Sequence, residues 1–61
     1  MPTKEQFAAY VRVQYSGRWN MFSQEAIEAT GLDKETYLRI LRSYEALALK
    51  YPEVIKEAKN G

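Results

Sequence analysis

The chain contains no cysteine and no histidine. Disulfides are thereby excluded, as are zinc sites built from thiolate and imidazole ligands. The same absence removes the Ser-His and Cys-His pairs that activate most nucleophiles. Glycine is scarce, and its three occurrences (Gly17, Gly31 and Gly61) form no glycine-rich phosphate loop. No apolar run approaches the roughly 20 residues needed to cross a bilayer. The opening Met1-Pro2-Thr3-Lys4-Glu5-Gln6 is polar and lacks the apolar centre of a secretory signal. A cytoplasmic protein without a membrane partner is expected from these features. An excess of either charge is missing too: nine basic and eight acidic side chains leave a net charge of +1. A nucleic-acid or anionic-membrane ligand normally demands a clear basic surplus.

Catalysis has little to work with. Ser16, Ser23 and Ser43 have no activating base and read as caps or solvent contacts. Acid–base work by paired carboxylates needs a cleft that raises one pKa. A few short helices offer little cleft, and Glu25, Glu28, Glu35 and Glu45 read as solvated faces. No enzyme, catalytic residue, metal or cofactor is expected.

What the sequence does have is aromatic bulk: five Tyr, two Phe and one Trp within 61 residues. So short a chain makes one domain, 1–61, and buries only about 60% of the surface its unfolded form exposes. Large rings supply much buried area per residue, which such a core needs, and they are also enriched in binding hot spots.

Helix signals recur along the chain, and no strand signal does. Thr3 and Gln6 form a Thr-x-x-Gln capping box that starts a helix over 4–15. Phe7, Tyr10, Val11 and Gln14 follow on one face, and Ser16-Gly17 closes it. Ser23 caps a short second helix over 24–30, stopped by Gly31. Phe22 and Ile27 stand at hydrophobic-staple positions around that cap, which makes Phe22 a plug for the core's open end. Asp33 caps a third helix over 34–50, again with staple positions at Leu32 and Tyr37. Its stripe of Tyr37, Ile40, Leu41, Tyr44, Leu47, Ala48 and Tyr51 is the cleanest in the chain. Pro52 disfavours helical geometry at Tyr51 and stands at the first position of a further short helix over 53–59. The expectation is an all-α, three-helix domain with a short C-terminal helix.

The stretch Ser23–Leu41 also fits a helix-turn-helix, in which a short glycine-bearing turn joins two helices and the second enters the major groove. Ala29-Thr30-Gly31-Leu32 followed by a polar turn looks like that stretch of many bacterial regulators. Such units usually hold a small residue four positions before the glycine, where this chain has Ile27. The second helix opens Asp33-Lys34-Glu35, two acids against one base where phosphate would be met. Lys34, Thr36, Leu38, Arg39 and Arg42 are the candidate DNA contacts on this reading. An ordinary helical hairpin whose turn uses Gly31-Leu32-Asp33 explains the segment better, because the basic excess is missing, so nucleic acid is the alternative partner.

The connector Ser16-Gly17-Arg18-Trp19-Asn20-Met21-Phe22 is the least ordinary stretch. Trp19 either folds onto the core or anchors a partner, and both readings stay open. Trp, Tyr and Arg are the commonest hot-spot residues, and Met packs adaptably. Arg12, Tyr15, Arg18, Trp19, Asn20 and Met21 are the candidate protein-binding residues.

Several of these residues carry a resemblance. Tyr10-Val11, Val13-Gln14-Tyr15-Ser16-Gly17, Asn20-Met21-Phe22, Gly31-Leu32 and the run from Ile40 through Tyr44 to Tyr51 resemble short proteins encoded by bacteriophages and prophages of Gram-positive bacteria. The most specific part is the Val-Gln-x-Ser-Gly-x-x-Asn-Met string at 13–21. The resemblance implies a phage accessory protein in the host bacterial cytoplasm, of a class whose members often bind and block a host or defence protein. The leading expectation is therefore a small non-enzymatic protein-binding module. Helix-turn-helix DNA binding is the alternative, and self-association into a homo-oligomer is a third reading.

Overall fold

The computed structural model describes residues 1–60, and every regular element among them is helical. The helices are α1 (Lys4–Ser16), α2 (Gln24–Thr30), α3 (Lys34–Arg42), α4 (Tyr44–Lys50) and α5 (Pro52–Asn60). Local chemistry explains most of the boundaries. The Thr3 hydroxyl accepts from the Gln6 amide at 3.1 Å, and the Gln6 carboxamide accepts from the Thr3 amide at 2.9 Å. Two backbone donors that no helical carbonyl can reach are thus satisfied together. Ser23 accepts from the Ala26 amide at 3.2 Å, and Asp33 from the Thr36 amide at 3.3 Å. Gly17 and Gly31 end α1 and α2 in the left-handed region, with φ of 71° and 74°. Pro52 takes the first position of α5, where its missing N–H costs nothing.

The expected third helix over 34–50 is two helices. Ser43 departs from helical geometry at φ −111° and ψ 16°, and it ends α3 while it begins α4. Its N–H is shared between the Arg39 and Ile40 carbonyls at 3.0 and 3.2 Å, and its own carbonyl accepts from Leu47 at 2.9 Å. The hydrogen-bond ladder is passed across the break, so the bend loses little. Packing supplies the reason for it. A straight helix of that length would run about 25 Å, nearly the molecule's largest extent of 26 Å. Bending lets Tyr37 and Ile40 of α3 and Leu47 of α4 all reach one core.

That core surrounds α1, which packs against α5, α2 and α3, while α4 joins α3 to α5. Phe7 and Val11 of α1 are fully buried, together with Ile40 and Leu47, and Tyr10, Tyr37 and Val54 complete the cluster. Each fully buried side chain of this kind contributes about 1.5–3 kcal/mol relative to exposure. The rings interlock: Phe7 meets Tyr44 edge to face at 5.6 Å, and Tyr10 lies 5.1 Å from Tyr37 and 5.9 Å from Tyr44. Two tyrosine hydroxyls find partners at the rim. Tyr37 donates to the Met21 carbonyl at 2.5 Å, and Tyr44 to the Gln14 side chain at 2.7 Å.

The expectation for Phe22 is overturned. It is 84% exposed and plugs nothing. The Asn20 side chain accepts from the Phe22 amide at 2.9 Å, and the Asn20 carbonyl accepts from Ser23. This turn points Met21 inward, where it packs against the core, and leaves Phe22 outside. Ile27 packs against the core without it.

Candidate functional site

The connector from Gly17 to Ser23 is an ordered turn built by its own short polar residues. The Ser16 hydroxyl donates to the Val13 carbonyl at 2.6 Å and accepts from the Arg18 amide at 3.3 Å. Asn20 then organises the next three residues through the bonds described above. From the other side, the Tyr37 hydroxyl fixes the chain at Met21. Burial pushes the Tyr37 phenol above its ordinary value, so the hydroxyl holds its donated proton to higher pH than a free tyrosine does.

Held in this way, the connector presents its rings to solvent. Trp19 is 41% exposed and lies outside the core cluster. Phe22 borders a groove of about 170 Å³ that it lines together with Met21, Ile27, Tyr37, Leu38 and Leu41, and Gln24 and Lys34 add polar lining. The groove lies between the start of α2 and one face of α3, where Lys34, Leu38 and Leu41 recur at helical spacing.

The candidate protein-binding residues divide between two places. Arg18, Trp19 and Asn20 lie exposed on the connector, and Met21 contributes to the groove beside Phe22. Asn20 is occupied chiefly in shaping the turn. Arg12 and Tyr15 belong elsewhere: they line a larger groove of about 450 Å³ between α1 and α5, with Ala8, Ser16, Val54, Glu57 and Ala58. The two grooves share no lining residue.

The candidate DNA contacts are spread over α3. Thr36 is engaged in the cap, its hydroxyl donating to Asp33 at 2.6 Å. Those bonds hold the Asp33 carboxyl below the ordinary carboxylate value. Arg39 pairs with Glu35 at 2.9 Å. Lys34 and Leu38 face the Phe22 groove. Arg42 is exposed in the last turn, on the same side as Arg39. The helices α2 and α3 each lean on α1 more than on each other.

The sequence missed Leu38 and Leu41 as walls of a groove, and Phe22 as its exposed neighbour. Helical spacing alone puts Leu38 with the DNA contacts and Leu41 with the core stripe, and only the fold brings both to Phe22. Among the described residues no cluster of three or more acidic, His or Cys side chains is placed to hold a metal. No helix there is long and apolar enough to cross a membrane. Comparison with protein-family models, curated proteins and solved structures finds no match for this chain.

Proposed function

We propose that this chain is a protein-binding module whose docking surface is the connector and the groove beside it. One observation carries the reading: Phe22 is 84% exposed next to an apolar groove, in a chain that buries its other phenylalanine completely. A domain with so small a core gives up a large ring at a cost of about 1.5–3 kcal/mol in lost burial. A rigid turn holding an exposed Phe, a half-exposed Trp and a free Arg has the composition of an interface hot spot. Arg18, Trp19 and Phe22 make the contact, and Met21 floors it. The resemblance to short phage and prophage proteins supplies the class of partner, a host or defence protein of the bacterial cytoplasm.

DNA binding stays second. Arg39 and Arg42 on one side of α3 favour it, but Arg39 is already paired with Glu35 and the chain has almost no basic surplus. Affinity capture from a bacterial lysate, with and without nuclease, separates the two. The protein reading expects a retained partner that survives nuclease and is lost with Phe22→Ser. Retention that vanishes on nuclease treatment, or that persists unchanged in Phe22→Ser, overturns it.

A further inference from the structure

The larger groove, between α1 and α5, plays no part in the surface proposed above. Its walls are two helical stripes, Ala8, Arg12, Tyr15 and Ser16 on α1 facing Val54, Glu57 and Ala58 on α5. The floor is apolar, with Val54 only 5% exposed. Each wall carries one charge, Arg12 on α1 and Glu57 on α5, and both side chains are exposed. Neither makes an ion pair with another described residue. A neighbouring pair shows the contrast: Lys4, eight positions before Arg12 on α1, and Glu53, four positions before Glu57 on α5, bridge the two helices at 3.1 Å.

We infer that this groove is the contact between two copies of the chain. A surface with a positive left wall and a negative right wall is complemented by the same surface turned over. With a two-fold axis lying along the groove, α1 of one copy faces α5 of the other. Arg12 then meets the partner's Glu57, and Glu57 meets the partner's Arg12. Such an isologous contact makes every favourable pair twice. The half-exposed Tyr15 at the groove wall is covered in the same step. A partner of uniform charge would face one attractive wall and one repulsive wall, so charge complementarity selects the second copy.

Size sets the strength. A standard interface covers about 800 Å² on each partner, nearly a fifth of this molecule's 4256 Å². The broadest face of the molecule measures only 26 by 25 Å, and the groove occupies part of it. The dimer is therefore weak and dissociates on dilution, and its formation stabilises the fold by mass action.

Charge reversal with sedimentation tests this directly. The wild-type chain should pass from monomer at low micromolar concentration to dimer toward millimolar concentration. Arg12→Glu and Glu57→Arg, each alone, place like charges across the axis and should shift the midpoint upward at least tenfold. The double variant Arg12→Glu/Glu57→Arg restores both pairs with the walls exchanged and should return the wild-type midpoint. Both positions are exposed, and circular dichroism checks that each variant keeps its helices. A wild-type chain that stays monomeric at every concentration overturns the proposal. So does a dimer that survives both single reversals, or a double variant no better than the singles. Phe22→Ser must leave the midpoint where it was; its loss there would move the self-contact to the connector surface.

Discussion

Removing one oxygen atom tests how the connector is held. In Tyr37→Phe the ring remains, 99% removed from solvent by the packing that leaves Tyr37 only 1% exposed, and only the hydroxyl is lost. That hydroxyl donates to the Met21 carbonyl at 2.5 Å across sixteen positions of sequence, and it is the side-chain bond that ties the connector to α3. A typical net hydrogen bond contributes about 0.5–1.5 kcal/mol, and a carbonyl left without its partner adds to the loss. The site is partly buried, so water replaces some of the bond, and the total falls at about 1–2 kcal/mol. In a domain of this size each kcal/mol moves Tm by about 4–8 °C, so the melting transition should fall by about 4–16 °C. Backbone amide exchange should quicken at Trp19 through Phe22 while Val11 and Ile40 keep their protection relative to the global stability. Thermal melts by circular dichroism and exchange followed by NMR read the two effects. A Tm unchanged within error, or faster exchange spread evenly over all helices, would refute the claim that this bond holds the connector in place.

Other expectations follow from the same packing. Phe7→Ala empties the centre of the core and should cost about 3–5 kcal/mol, close to the whole stability expected of a domain this size, so circular dichroism should report a largely unfolded chain at 25 °C. Gly31→Ala forces a side chain into a left-handed backbone at φ 74° with nothing within 4 Å to clash; denaturant titration should show a loss of about 1–2 kcal/mol from the backbone alone. Alkaline pH should unfold the chain cooperatively. Burial pushes the Tyr10 phenol up to about 12, with the neighbouring Tyr37 and Tyr44 adding to it. The unfolded chain then loses its protons first, so stability is full below the ordinary tyrosine value and disappears as pH rises through the folded one. Tyrosinate absorbance and helix content should change together; buried tyrosines that ionise while the helices persist would contradict this. At the acid end, backbone hydrogen bonding followed by Lys4 holds Glu53 below the ordinary carboxylate value. Thr36 does the same for Asp33. Their contribution is present at neutral pH and is lost as pH falls through and below the carboxylate range, and Asp33→Asn should flatten that acid limb.

The helix starts were legible because they are local. A Thr, Ser or Asp three residues ahead of a backbone donor is visible in one dimension, and so is a glycine where the chain must turn left-handed. The inward face of α1 and the stripe from Tyr37 to Tyr51 followed from the helical period. The break at Ser43 was not legible, because it has neither Gly nor Pro. It answers to the shape of the core, which exists only once α1 and α5 are in place. Phe22 failed for a related reason. Staple spacing marks where a ring can pack, but the Asn20 turn decides which neighbour, Met21 or Phe22, points inward. Trp19, open in the sequence, is exposed in the fold and lies outside the core cluster. The grooves were the least visible features, since Leu38 beside Phe22 and Arg12 beside Glu57 are neighbours only in three dimensions.

The central claim is that the connector surface meets a protein, and contact at Phe22 tests it most directly. A photo-reactive phenylalanine analogue at position 22 replaces one exposed ring with another and leaves the core untouched. Leu49 on α4 is the control, since it is 79% exposed and lines neither groove. Irradiation in bacterial cells should give a discrete cross-linked protein from position 22, absent at position 49 and unaffected by nuclease. Cross-links that are equal at both positions, or that join position 22 only to nucleic acid, would contradict the account.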